Sequence, residues 1–160
     1  MASAIGFKVL ANDPFLDADA IIECGAVPAS RDEIVEQSDV LSLHVPLLDS
    51  TRRIIDADAL GRMRPQSILI NVSRGGLVDE EALAAALRSG HLSGAGIDTF
   101  EHEPLPAHSP LRGLEQVILT PHSAALSREA LDESRRKVVE EAARMLRGEP
   151  PHYPVNSPAR

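Results

Sequence analysis

Three side chains of this sequence have the types that proton transfer beside a carboxylate requires. Arg74 offers a planar, permanently charged fork that matches the geometry of a carboxylate. His122 can hold or release a proton near neutral pH. Glu103, in the loop that follows Asp98, can orient the imidazole ring. Hydride transfer between a 2-hydroxy acid and a nicotinamide needs this combination of groups.

These residues belong to a larger set of polar side chains that follow the ends of predicted strands. Ligands of open α/β sheets bind beyond the carboxyl ends of the strands, so we expect the whole set to face one crevice. An acid at the end of the first strand would suit the diol of a ribose. The set consists of Asp13, His44-Val45-Pro46, Ser73-Arg74, Asp98 and Thr120-Pro121-His122.

The strands and helices that position these polar side chains are predicted by short apolar runs that alternate with helical patterns. Each predicted strand is followed by a helix or a crossing loop, which indicates βαβ units and a mostly parallel sheet. There are too few units for an eight-stranded barrel, so an open, doubly wound α/β sheet is the predicted fold. The predicted strands are 6–12, 40–45, 67–72, 94–99 and 116–119, and the predicted helices are 30–38, 56–63, 79–88 and 127–147.

Composition narrows the class of protein further. The chain has 160 residues, 43% of them hydrophobic, which is enough for one domain with a real core. The formal net charge of −8 makes nucleic acid and acidic membrane surfaces poor partners. The single cysteine, Cys24, cannot form an internal disulfide, which predicts a cytoplasmic location.

Five segments resemble, in order, the signatures of the D-isomer-specific 2-hydroxyacid dehydrogenases. The resemblance extends from about residue 6 to residue 156 and implies a Rossmann-like NAD-binding domain. It also implies a small 2-hydroxy or 2-keto acid as substrate and a homodimer for the full-length protein. The segments are 13–14 (DP), 43–47 (LHVPL), 71–79 (NVSRGGLVD), 98–104 (DTFEHEP) and 119–122 (LTPH).

The resemblance also implies roles for individual residues. Arg74 would bind the substrate carboxylate, His122 would be the acid/base and Glu103 its partner, while Arg74 and His122 would also lie against the cofactor. Asp13 would bind the adenosine ribose, and an acid there favours NAD over NADP because it repels a 2′-phosphate. The remaining cofactor positions would be Pro46 along the dinucleotide, and Ser73 and Asp98 near the nicotinamide.

One family signature is not found before the first predicted strand. No G-x-G-x-x-G loop precedes residue 6, and in the similar run 94–99 Thr99 stands where the third small residue belongs. We therefore expect a C-terminal fragment with a sheet truncated at its N-terminus: residues 1–149 a partial NAD-binding domain, and 150–160 a Pro-rich tail that returns to a substrate domain outside this chain. The strands beside the missing central strand would keep unpaired edges or close up against each other. We expect this fragment to be inactive.

Other interpretations compete at several positions. Glu101 is the rival of Glu103, Asp13 could simply begin a turn with Pro14, and the spacing of His102 and His108 fits no metal site. For the whole protein, an NAD-sensing corepressor of the C-terminal-binding-protein type is the alternative, because segments 75–80 and 122–125 are similar in both classes. A non-functional remnant is the third interpretation.

Overall fold

The structure, a computed structural model, describes residues 2–154, which contain six strands, five α-helices and two 3-10 helices of three residues each, Ser3–Ile5 and Gly75–Leu77. The strands are β1 (Leu10–Ala11), β2 (Val27–Pro28), β3 (Val40–Leu43), β4 (Ile68–Asn71), β5 (Gly94–Ile97) and β6 (Val117–Leu119). The helices are α1 (Ala18–Glu23), α2 (Arg31–Gln37), α3 (Ala57–Arg62), α4 (Glu80–Arg88) and α5 (Arg128–Leu146).

Four of the strands form one parallel sheet in the order β3-β4-β5-β6. Leu41 of β3 lies opposite Leu69 of β4, which in turn lies opposite Ala95 of β5. All three side chains belong to a buried core to which α4 adds Leu83 and Leu87. The predicted parallel α/β sheet is confirmed, and each of its strands starts within one residue of its predicted start.

The helices begin where capping side chains are found. Ser30 accepts a hydrogen bond from the N–H of Glu33 at 3.2 Å, and its own N–H donates to the Glu33 carboxylate at 2.8 Å, which completes a capping box. The carboxylates of Asp56 and Asp79 cap α3 and α4 in the same position. The four predicted helices are therefore confirmed to within one residue at each end, with the caps just outside.

A second, two-stranded sheet pairs β1 with β2 in parallel. The predicted buried strand 6–12 is wrong in length and burial, because only Leu10–Ala11 pair and both are half-exposed. With a neighbour on one side only, the segment has neither the hydrogen bonds nor the cover that a longer strand needs. Helix α1 and strand β2 are elements that the sequence pattern did not predict.

The two sheets are not joined by strand pairing. In the described residues β1 pairs only with β2, and β3 pairs only with β4, so each sheet ends in an unpaired edge. On the free edge, Val40 is 41% exposed. Of the two outcomes expected for the strand edges, unpaired or closed up against each other, the described residues have the unpaired edges.

The chain divides after His122 into two compact units. The second unit contains α5, capped by Ser127, which has no buried residue and carries ion pairs such as Lys137 with Glu133 at 2.7 Å. Residues 155–160 of the predicted tail lie outside the described residues. None of the helices in 2–154 combines the length and the apolar composition needed to cross a membrane.

Candidate active site at the carboxyl edge of the larger sheet

His122 and Glu103 form a hydrogen-bonded pair beyond the end of β6. The Nδ1 atom of His122 lies 2.9 Å from Oε2 and 3.2 Å from Oε1 of Glu103. His122 has a φ of 52°, a left-handed conformation that is unusual for a non-glycine residue. Its N–H donates to the carbonyl of Asp98 at 2.8 Å, which holds it there. Because Nδ1 is engaged by the carboxylate, Nε2 is the ring nitrogen that can exchange a proton with a ligand.

Glu103 is fixed from a second side. Its Oε1 accepts the N–H of Phe100 at 3.0 Å. The hydrogen bond from His122, followed by that from Phe100, lowers the pKa of Glu103 below its ordinary value of 4.5. Glu103 is therefore a carboxylate at neutral pH, and it can support positive charge on the imidazole ring.

Arg74 projects from the turn that follows β4. The turn is shaped by Asn71, 1% exposed, whose side chain donates to the carbonyl of Arg74 at 2.9 Å and accepts the N–H of Ser73 at 3.1 Å. The guanidinium donates to the carbonyl of Ser73 at 2.7 Å and has no carboxylate partner among residues 2–154. It is an exposed cation whose fork is available to an anionic ligand.

The loops after β4 and β5 touch backbone to backbone at Gly75. A Cβ atom on Gly75 would lie 1.9 Å from the carbonyl carbon of Phe100, far inside van der Waals contact. Glycine is thus required by the space at this position rather than by its φ angle. The contact packs the loop that carries Arg74 directly against the loop that carries Glu103.

The three predicted catalytic residues come together in one cleft. Arg74, Glu103 and His122 all line a cleft of about 380 Å³, with Leu47 and Phe100 as apolar wall. The cleft thus holds an unpaired cation, a histidine with one ring nitrogen available, and an apolar surface between them. This arrangement can bind a small acid and exchange a proton with it.

The structure also decides between the two candidate partners of His122. Glu101, the rival of Glu103, lies 3.7 Å from Arg53, and its N–H donates to the Glu80 carboxylate at 2.8 Å. Glu101 is therefore engaged by Arg53 and by the first residue of α4, although it lines the same cleft as the His122 pair. The structure places Glu103, and not Glu101, beside the imidazole ring.

Of the predicted cofactor-binding residues that do not line the cleft, three follow adjacent strands of the larger sheet. Pro46, Ser73 and Asp98 come just after β3, β4 and β5. Ser73 donates through Oγ to the carbonyl of Leu43 at 3.0 Å. Asp98, 3% exposed, accepts a hydrogen bond from Thr120 at 2.5 Å. These three residues form a shelf along the carboxyl edge, although none of them lines the cleft.

Asp13 is separated from that shelf. It follows β1, in the sheet that shares no strand pairing with β3, and its carboxylate accepts the N–H of Phe15 at 2.9 Å. In the described residues no strand pairing connects the sheet of Asp13 with the sheet that carries the other four strand ends, so the expectation that all five face one crevice stays a prediction. The turn interpretation of Asp13 describes its local hydrogen bond, and its carboxylate remains exposed for a second acceptor role.

Sequence reasoning missed Arg52, which also lines the cleft. Its position depends on the fold of the loop after β3, where Thr51 donates through Oγ1 to the carbonyl of Pro46 at 2.7 Å. A cation shortly after a strand end was the available signal, but the distance from the strand hid it. Residues 2–154 contain no group of three His, Cys, Asp or Glu side chains placed to hold a metal ion.

The comparisons with known proteins identify the family of the chain. Residues 1–124 match the family described as "D-isomer specific 2-hydroxyacid dehydrogenase, NAD binding domain". The chain belongs to this family, and NAD is the cofactor of the domain. The resemblance that the five motifs carried is confirmed.

Two curated relatives and one solved structure illustrate the range of the family. The chain is 49% identical over 130 residues to the (S)-sulfolactate dehydrogenase of Chromohalobacter salexigens, which covers 81% of this chain and 42% of that protein. It is 40% identical over 155 residues to the glyoxylate reductase of Korarchaeum cryptofilum, covering 97% of this chain and 47% of that one. The chain thus spans less than half the length of these two relatives.

A solved structure gives the same result for the fold. The D-lactate dehydrogenase of Lactobacillus jensenii, with NAD+, superimposes with a TM-score of 0.89 at 33% identity. The match covers 97% of this chain and 50% of that one. The fold described above is therefore similar to that of half of a solved dehydrogenase chain.

Proposed function

We propose that this chain is the catalytic part of the NAD-binding domain of a D-2-hydroxyacid dehydrogenase. The reaction is hydride transfer between NAD(H) and a small 2-hydroxy or 2-keto acid. The observation that carries the proposal is the His122–Glu103 hydrogen bond of 2.9 Å in the same cleft as the unpaired Arg74. An acid/base and a carboxylate-binding cation side by side are the groups that this reaction asks of the protein.

The proposed roles follow from the contacts. Arg74 holds the substrate carboxylate with its fork and stabilises negative charge on the reacting oxygen. His122 gives a proton to that oxygen through Nε2 during reduction and takes it back during oxidation. Glu103 keeps Nδ1 protonated and stabilises the charged ring, so it acts as a positioning residue.

The residues present fit the nicotinamide end of the dinucleotide. Bound NAD(H) supplies or accepts the hydride. Asp98 offers a buried carboxylate for the carboxamide, and Pro46 and Ser73 lie beside it on the shelf. Asp13 would take the adenosine ribose and favour NAD over NADP. Residues 1–12 supply no glycine-rich loop for the pyrophosphate, so that contact must come from outside these residues.

For residues 1–160 alone we propose weak NAD binding and no turnover. The sequence supplies no glycine loop whose backbone N–H groups would bind the pyrophosphate, and in the described residues no strand pairing joins the sheet of Asp13 to the sheet that carries the shelf. Titration of the purified chain with NAD+, followed by NMR, tests this. Shifts near Asp13 and near Pro46, Ser73 and Asp98, with saturation far above micromolar concentrations, are expected; micromolar affinity would contradict the proposal.

Activity is tested in a chimera. This chain replaces the matching segment of the sulfolactate dehydrogenase relative, which restores a glycine loop and a substrate domain. NADH oxidation is then measured with glyoxylate, pyruvate, hydroxypyruvate and phosphohydroxypyruvate, with His122→Asn as the negative control. Turnover that is lost in the control supports the dehydrogenase, whereas NADH binding without turnover would favour the corepressor-type sensor.

The sulfolactate of one relative carries two anionic groups, whereas the glyoxylate of the other carries one. The longer enzyme is proposed to be a cytoplasmic homodimer without nucleic-acid or membrane partners. Cys24 as the only cysteine and the net charge of −8 support this.

A further inference from the structure

Arg52 is a second cation in the cleft without a counter-ion. Its side chain makes no hydrogen bond or ion pair with any residue of 2–154, although it lines the cleft together with Arg74. The next residue, Arg53, is by contrast bound to Asp79 at 3.3 Å and to Glu101 at 3.7 Å. Of these two adjacent arginines, Arg53 thus has two carboxylate partners, whereas Arg52 has none among residues 2–154.

The loop around Arg52 is held firmly against the floor of the cleft. The N–H of Arg52 donates to the carbonyl of Leu48 at 2.9 Å, and that of Arg53 donates to the carbonyl of Gly76 at 2.8 Å. The Nη1 atom of Arg52 lies 3.5 Å from the point where a Cβ on Gly76 would be. The guanidinium therefore lies over Gly76, two residues from Arg74 along the chain.

No carboxylate of the described residues in the cleft pairs with Arg52 or with Arg74. The two acids of the cleft are already engaged, Glu101 by Arg53 and Glu103 by His122. Arg62, by contrast, contacts three carboxylates, those of Asp32, Glu36 and Asp58. Two like charges left uncompensated in one small cleft repel each other, and an anionic ligand with two charged groups removes that repulsion.

We propose that Arg52 binds a second anionic group of the substrate. The cleft then accepts a 2-hydroxy or 2-keto acid whose carboxylate pairs with Arg74 and whose other end carries a sulfonate, phosphate or second carboxylate. The proposal rests on the proposed function, because it takes Arg74 as the site of the first carboxylate. A specificity-determining contact of this kind selects among substrates without taking part in the proton transfer.

The test is an NMR titration of the full 160-residue chain, with the Nε–H signals of Arg52 and Arg74 as reporters. The ligands are D-lactate, with one anionic group, and sulfolactate and D-3-phosphoglycerate, with two. Arg74 is expected to respond to all three ligands and Arg52 only to the two-anion ligands, which bind about tenfold more tightly. A response at Arg74 without one at Arg52 overturns this proposal and leaves the proposed function standing. No response at Arg74 to any ligand overturns both.

Two variants complete the experiment. Arg52→Gln is expected to bring the ratio of affinities for sulfolactate and D-lactate close to one. Arg64→Gln removes the same charge from outside the cleft, where Arg64 pairs with Asp39 at 2.9 Å, and it is expected to keep the wild-type ratio. If both variants lower the ratio equally, the preference reflects the overall charge of the chain and the assignment to Arg52 is wrong.

Discussion

His122 is held by two different residues: Glu103 binds its ring at Nδ1, 2.9 Å away, and the carbonyl of Asp98 binds its backbone N–H at 2.8 Å. The ring and the main chain are therefore fixed independently. Because Asp98 follows β5 and Glu103 lies in the loop beyond it, one segment of chain determines both where the imidazole lies and which nitrogen faces the cleft.

Glu103→Gln should weaken the preference of His122 for the tautomer that carries its proton on Nδ1. A neutral amide accepts a weaker hydrogen bond than a carboxylate, so the preference of His122 for a proton on Nδ1 shrinks. In the chimera we expect turnover to fall by roughly 10²–10⁴-fold. Ring-nitrogen NMR of His122 reads the tautomer directly. Glu101→Gln, an equal loss of charge beside the cleft, is the control for the tautomer; an equal effect there would contradict the pairing.

The pH dependence of stability should carry a contribution from Glu103. Its pKa in the folded chain is below the ordinary 4.5, so the folded state binds its proton less readily than the unfolded state. The contribution is fully present above about pH 5 and is lost as the pH falls through the folded-state pKa. Urea unfolding across this range should give a flatter curve for Glu103→Gln. Glu115→Gln, at an exposed loop position, should keep the wild-type slope.

Arg74→Lys should damage recognition of the carboxylate although the charge is kept. Lysine cannot form the two parallel hydrogen bonds of a guanidinium. We expect kcat/KM of the chimera to fall by roughly 10–100-fold, the equivalent of one charge-assisted hydrogen bond. If kcat falls and KM also rises, the contact is made in both the ground state and the transition state. An unchanged kcat/KM would remove Arg74 from the substrate site.

Gly75→Ala adds only one methyl group, but we expect it to lower the free energy of unfolding markedly. The added Cβ would meet the backbone of Phe100 at 1.9 Å, which no rotamer change can relieve, so the two loops must separate. We expect a loss of about 1–3 kcal/mol in the free energy of unfolding. Gly61→Ala in α3 meets nothing within 4 Å and is the matched control. There the change should be neutral or slightly stabilising, because alanine favours helix. Equal stability of the two variants would contradict the close contact.

The elements that sequence could predict are those with local causes. Helices α2, α3 and α4 begin at Ser30, Asp56 and Asp79, each of which caps its own backbone, so sequence alone places them. Helix α1 has a comparable cap in Asp17, which accepts the N–H of Ala20 at 2.8 Å, so its start also has a local cause although the sequence analysis missed it.

The features that sequence could not predict depend on distant neighbours. Strand β1 is short because only β2 pairs with it in the described residues, and no residue of 6–12 indicates which neighbours the strand will have. Likewise, Arg74, Glu103 and His122 could be recognised from their motifs, whereas Arg52 enters the cleft only because its loop folds back over Gly76.

In the described residues no strand pairing joins the two sheets, and this bears on the affinity of the chain for a dinucleotide. A dinucleotide gains affinity by chelation when its two halves are anchored to one rigid surface, since the first contact raises the effective concentration of the second. Asp13 stands on one sheet and the shelf of Pro46, Ser73 and Asp98 on the other, with no strand pairing between them. If strand pairing is what fixes the two anchors to each other, AMP and nicotinamide mononucleotide should bind residues 1–160 as two independent ligands, and joining them into NAD should add little avidity. The continuity of the sheet, rather than any one contact, would then make the two nucleotides a single ligand.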